Sequence, residues 1–323
     1  MSWEIKYYSA EEIPTDFYQL EKEIYSEQVL QMKGDLSIPN KHLLGIVVCR
    51  DQQLLAKAAL YFNPDIVTSR KTLLIGGFES IDDQKVVKQL LSFIENWAIQ
   101  QGFESIIGPM NGSTWESYRV KIAVSKPFFT ETIYPTYYAD CFIQNGYEMT
   151  AEYESRKATI FPIPEQLSKY PIRKIDLSNL KFELYKLYPL LTESFKSAYL
   201  YTDISVDEFV KKYSSIAAYL DEELIWIAED EGVPIGVVFG IKDYYDSSNE
   251  QVIIKTLARN LSPQYKGVGQ ALVAFYYNHL LSLQYRKVIH AFMRVDNNSV
   301  QITSDKFKGE AFAKYALFKK DLG

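Results

Sequence analysis

Residues 262–272 read SPQYKGVGQAL. Two glycines and a lysine stand in a turn, and a helical pattern begins at once, with Val268, Leu272, Phe275, Tyr276 and Leu280 on one side. A helix start carries unpaired backbone N–H groups and the positive end of the helix dipole, so it attracts phosphate. Gly267 and Gly269 let the main chain approach an anion with no side chain in the way, and Lys266 adds a positive charge. The turn therefore reads as a pyrophosphate cradle. It is neither of two familiar phosphate loops: the dinucleotide fingerprint needs a third glycine and an acidic residue near the end of the next strand, and the Walker loop needs Gly-Lys-Ser/Thr.

Working outward, the turn is embedded in a regular order of elements. ELIWIAEDEGVPIGVVFGIK (223–242) is two strands about a turn, QVIIKTLARN (251–260) is the next strand, the helix follows, and KVIHAFMRV (287–295) is the strand after it. The first half of the chain has the same order. LLGIVVCRDQQLLAKAALYF (43–62) is a hairpin, TLLIGGFES (72–80) a strand, and Val87, Leu90, Leu91, Ile94, Trp97 and Ala98 mark a helix over 84–101 that ends at Gly102. SIIGPM (105–110) is then a strand stopped by Pro109. Both halves also finish alike, FIQNGYEMTAEYESRKATI (142–160) against DKFKGEAFAKYALFKK (305–320). A repeat of element order at about 180 residues is too long for a solenoid and predicts two copies of one α/β unit. The expected division is 1–160, a proline-marked linker over 161–180, and 181–323.

Bulk properties bound the function. A chain of 323 residues is long enough for two domains, and 47% apolar with 24% charged residues is the composition of a globular protein. The net charge of −6 argues against a nucleic-acid partner, which needs a basic face. Cys49 and Cys141 are far apart without metal spacing, and with only three histidines no metal site is expected. The charged N-terminus and the lack of any apolar run near ~20 residues point to a cytoplasmic protein without a membrane partner. The 25 Tyr and 18 Phe supply either a Tyr-rich core and surface or the walls of a broad cleft.

Gln264, Gly267 and Gly269, preceded by Pro263 and a strand, resemble the signature of the GNAT acyltransferase superfamily: Gln or Arg, two spacers, Gly, one spacer, then Gly or Ala. Asn298 stands after the strand 287–295, where that family commonly has an asparagine opening its next helix. The motif resemblance covers roughly 180–323, and the whole chain, with IGPMNGSTWESYR (107–119) and YPTYYADCFIQNGY (134–147), is similar to uncharacterised bacterial tandem-GNAT proteins. It implies an α/β (α+β) protein of two GNAT-like domains, each a mixed, mostly antiparallel sheet flanked by helices. It also implies acetyl-CoA or another acyl-CoA as cosubstrate. Leu257 and Arg259 would face the pantetheine arm, and Gln264, Tyr265, Lys266, Gly267, Val268, Gly269, Gln270 and Asn298 the rest of the cofactor. The first unit has ESIDDQKVV (79–87) in place of the loop, and Asp82 and Asp83 would repel a pyrophosphate, which leaves one cofactor site per chain.

The implied activity is N-acylation of a small amine or amino-acid-like acceptor. Family members often use a Glu on the strand before the loop and a Tyr after the asparagine; here strand 252–259 has no carboxylate, and Ser304 and Asp305 occupy the region of that Tyr. His290 is a candidate base or a satisfied structural histidine, and Ser304 a proton relay or a helix serine bonded to its own backbone. In the insertion 109–140, Trp115, Arg119, Tyr134, Tyr137 and Tyr138 form either one wall of an acceptor cleft, with Arg119 for a carboxylate, or the anchors of a surface excursion. Two other functions fit these residues. One is a non-catalytic acyl-CoA-binding or sensing protein; the other is a peptidyltransferase-like protein drawing on aminoacyl-tRNA.

Overall fold

A computed structural model describes residues 3–9, 12, 15–34, 41–164 and 169–323, apart from the side chain of Asn298. The first half runs β1 (Trp3–Tyr8), α1 (Leu20–Ile24), α2 (Glu27–Lys33), β2 (Leu44–Arg50), β3 (Gln53–Tyr61), β4 (Thr72–Ser80), α3 (Gln84–Gln100), β5 (Ser105–Gly108), the short β6 (Val120–Lys121), α4 (Tyr138–Gln144) and β7 (Glu148–Thr159). The second half runs β8 (Ile172–Lys174), α5 (Leu180–Phe195), α6 (Val206–Ser214), β9 (Ile225–Asp230), β10 (Val233–Lys242), β11 (Gln251–Arg259), α7 (Val268–Ser282), β12 (Lys287–Arg294), α8 (Asn298–Phe307) and β13 (Glu310–Asp321). The hairpins and helices read from periodicity stand where expected, because each pairs an alternating or helical apolar face with turn residues at its ends.

All strands join one sheet in the order β1-β2-β3-β4-β5-β13-β7-β12-β11-β10-β9-β8, with β6 on β13. Pairing is antiparallel except between β4 and β5 and between β11 and β12. The order has a two-fold pattern centred between β13 and β7. Each of these two strands has left its own half: β13, the last of the chain, inserts between β5 and β7, and β7 inserts between β13 and β12. The sheet is therefore not divided where the sequence is, and residues 172–174, inside the expected linker, form its edge strand β8.

Helices cover both faces. On one face α3 buries Val86, Val87, Leu90, Leu91 and Ile94, and α7 buries Val268, Leu272, Tyr276 and Leu280. Gly236 and Gly240 on β10 let α7 lie close: a Cβ at 240 would stand 1.9 Å from the Tyr276 hydroxyl. On the other face lie α1, α5, α6 and the insertion after β5; the first-half cluster around Tyr61 and Tyr315 and the cluster around Phe128 of the insertion share Phe292 and Phe312 across the junction of the halves. No helix among the described residues is long and apolar enough to cross a membrane.

Candidate functional site

β11 and β12 pair in parallel only from Gln251↔Lys287 to Ile254↔His290 and then part. A bulge between His290 and Met293, where Phe292 has φ 58°, interrupts the pairing of β12 with β7, and the Phe292 amide donates to Ser155 Oγ at 3.1 Å. From Lys255 onward β11 is paired on its β10 edge alone, so its other edge offers free backbone groups to a notch. Exposure marks the opening. Leu257 is 47% exposed and Ala291, Phe292, Met293 and Arg294 are half-buried, although both strands lie inside the sheet.

The glycine turn stands at the mouth of this notch. Gly267 has φ 95° at the start of α7, and a Cβ there would meet nothing within 4 Å. Among the described residues no acceptor meets the amides of Gly267, Val268, Gly269 or Gln270, which leaves four N–H groups at the start of α7 without a partner. Lys266 and Gln270 are exposed beside them, and Arg259 places its Cδ 3.3 Å from the Cβ position of Gly269. A cradle of main-chain donors flanked by cations fits a pyrophosphate group.

The equivalent notch in the first half is closed. β4 and β5 part after Leu74↔Ile107, but the chain folds back into the gap: the Met110 amide donates to Ile75 O at 2.7 Å, and the Gly77 amide donates to Asn111 Oδ1 at 2.8 Å. Gly76 must be glycine, since its Cβ would lie 2.3 Å from that Oδ1. Farther along, Tyr138 receives the Ser80 amide and donates to Glu79, and Asp83 caps α3 by accepting from the Lys85 amide at 2.8 Å. One open notch and one plugged notch result from the same strand geometry.

Comparison with solved structures gives this arrangement a name. A tandem GNAT protein from the clavulanic acid biosynthesis pathway, solved without acetyl-CoA, matches over 100% of this chain and 99% of its own, with a TM-score of 0.59 and 9% identity. The chain has the tandem GNAT fold. GCN5-related N-acetyltransferases from Sphaerobacter thermophilus (98% of this chain, 96% of that one, TM-score 0.56, 12% identity) and Anabaena variabilis (99% and 73%, 0.59, 14%) share it. No protein-family model and no curated protein matches the sequence. At such identities the likeness concerns architecture, and residue roles must be argued from this chain.

Opposite α7, the floor of the GNAT notch carries two cations from different parts of the chain. Lys255 of β11 donates to Thr130 Oγ1 at 2.9 Å and lies 4.5 Å from the Phe292 ring centroid. Burial, with the Arg119 guanidinium nearby, brings its ammonium down to about 7. The Arg119 guanidinium lies 4.3 Å from the same ring and 4.2 Å from that of Tyr118. Lys255 escaped the sequence analysis, which looked on this strand for a carboxylate. A lysine inside an otherwise apolar strand, VIIKTLA (252–258), was the available signal.

The other expected residues are distributed by the GNAT fold as follows. Val268 offers only its amide, because its side chain is buried against the sheet. Tyr265 turns its hydroxyl to Asp230 Oδ2 at 3.0 Å, and the carbonyl of Gln264 accepts from Tyr170. The Asn298 side chain lies outside the described residues. His290 does not face the notch. It is 8% exposed on the α7 side, bonded through Nε2 to Tyr277 Oη at 2.7 Å and stacked on Phe307, and burial holds its pKa at about 4. Ser304 stands half-buried on α8, and its neighbour Thr303 is the one that reaches Met293 of β12.

Of the proposed acceptor wall, only Arg119 is at the notch. Trp115 donates to Thr202 O at 2.9 Å and packs among Phe195, Tyr201 and Phe209, clamping the insertion to α5 and α6. Tyr138 is 1% exposed in the first-half plug, Tyr137 donates there to Ser80 O, and Tyr134 packs against the same cluster. Burial of aromatics in a closed notch, not a cleft, accounts for these three tyrosines.

Proposed function

We propose that the protein transfers an acyl group, acetyl in the simplest case, from acyl-CoA to the nitrogen of a small amino-acid-like acceptor. One observation carries the reading: interior strands β11 and β12 are exposed where they part, beside four unpaired amides at the start of α7, while the matching place in the first half is filled. The residues that would hold the cofactor are the 255–259 edge of β11 for the pantetheine arm and Lys266 with the amides of 267–270 for the pyrophosphate. When bound, acyl-CoA supplies an activated thioester carbonyl.

The chain's own part is positioning and proton transfer. Acylation of an amine forms an N–C bond, breaks the C–S bond and releases a proton from the nitrogen. Lys255, on the floor of the notch and with an amine that loses its proton near neutrality, is placed to take that proton. The rings of Phe292 and Tyr118 lie beside the two cations and would flank the acceptor.

Isothermal calorimetry with acetyl-CoA tests the reading. Stoichiometry of one per chain is expected; absence of binding by the folded protein overturns it.

A further inference from the structure

Arg119 is a half-buried guanidinium without a carboxylate. A guanidinium carries five N–H donors, yet among the described residues its hydrogen bonds reduce to one, from Nη1 to Tyr118 Oη at 3.0 Å. Its faces are occupied by the rings of Tyr118, Tyr153 and Phe292, with Tyr315 at 5.9 Å. Several cations away from the notch are treated differently: buried Lys57 pairs with Glu21 at 2.6 Å, buried Lys121 with Glu131 at 2.9 Å and half-buried Arg173 with Glu183 at 2.9 Å. Glu131, the carboxylate felt by Lys255, is committed to Lys121 and Tyr315. Leaving a cation desolvated and unpaired is costly unless an anion arrives to complete it.

The backbone supports the same conclusion. Arg119 has φ 67°, outside the preferred region for an L-residue, and is fixed there by its amide bonding Pro109 O at 2.9 Å and by β6 pairing with β13 directly after it. That conformation delivers the side chain across the junction of the halves, onto the ring of Phe292 beside Lys255.

We propose that Arg119 is the anchor for a carboxylate on the acyl acceptor, so that the substrate class is amino acids or short peptides whose amine and carboxylate span the distance from Lys255 to Arg119. The planar fork of Arg matches a carboxylate through two parallel hydrogen bonds. This rests on the acyltransferase reading and adds the acceptor to it.

The experiment uses the full chain with acetyl-CoA. Transfer is measured to a panel of free L-amino acids and dipeptides and to the same compounds as C-terminal amides. The proposal expects acids to be acylated, with KM raised on the order of a hundredfold for each amide. Arg119→Gln is expected to raise KM for the acid by a similar factor, so that the preference for acid over amide is lost, with the calorimetric Kd for acetyl-CoA unchanged. Arg119→Lys, which keeps the charge in the aromatic box, serves if the first variant misfolds; a partial rise in KM is expected. Equal use of acids and amides, or an acetyl-CoA-binding protein that acylates no carboxylate-bearing member of the panel, overturns the proposal. Loss of acetyl-CoA binding in the wild type removes instead the acyltransferase reading beneath it.

Discussion

At the scale of single residues, the notch depends on where charge is left uncompensated. Lys255 is expected to act as a neutral amine, so kcat/KM rises with pH and levels above about 7, the value to which burial and Arg119 bring it. Lys255→Met should lower kcat by roughly 10²–10⁴ with little change in acetyl-CoA Kd; a variant with wild-type kcat excludes the role. His290 gives a separate prediction about stability. Its pKa, held at about 4, lies below the usual 6.5, so between these values the unfolded chain binds a proton that the folded chain refuses. Stability should fall as pH drops through this window, by up to about 3 kcal/mol from this group. His290→Gln, followed by urea unfolding at several pH values, should flatten that component. Both residues occupy strands that read as apolar runs, and periodicity says nothing about which face of a strand a partner strand will leave open.

At the scale of elements, the start of α7 and the start of α3 answer the same question in opposite ways. α7 keeps its first amides free, whereas α3 satisfies one with Asp83 and sits behind a plug made by Asn111, Tyr137 and Tyr138. Gly269→Asp places a carboxylate beside the free amides, where only the flexible Arg259 side chain must move. Acetyl-CoA affinity should fall by about tenfold or more with Tm nearly unchanged, as calorimetry and thermal melting would report. Asn111→Ala should destabilise the protein by about 1–2 kcal/mol in denaturant titration, because the Gly77 amide loses its acceptor, and should leave acetyl-CoA stoichiometry at one. The asymmetry of the two loops was legible in the letters, as Gly-Val-Gly against Asp-Asp. The plug was not, since it joins Gly77 to a residue of a loop more than a strand and a helix away.

At the scale of the whole molecule, the exchange of β7 and β13 makes one cooperative unit of two similar halves. β13 pairs with β5, β6 and β7, and β7 with β12 and β13, so neither half has a complete sheet from its own sequence. Deleting 310–323 is expected to unfold both halves, not only the second, and residues 1–160 alone should fail to give a monomer with native-like chemical-shift dispersion. A stable, monomeric 1–160 fragment would contradict this. The exchange also explains why the notch has a composite floor, since strands at the junction bring the first-half Arg119 and Tyr153 to Phe292 of β12.

The sequence by itself determined the elements, their repeated order, the helix that opens on a glycine turn, and the loss of that turn from the first half. Each is a local property, written in spacing of apolar residues and in turn and cap chemistry within a few positions. Tertiary structure alone decided that the last strand completes the first half, that one notch is plugged by a distant asparagine, and that Arg119 and Lys255 meet on one ring. These depend on which segments meet across 34 residues, as at Gly77 and Asn111, or across more than a hundred, as at β5 and β13, and such pairing is fixed by the collective burial of the whole sheet.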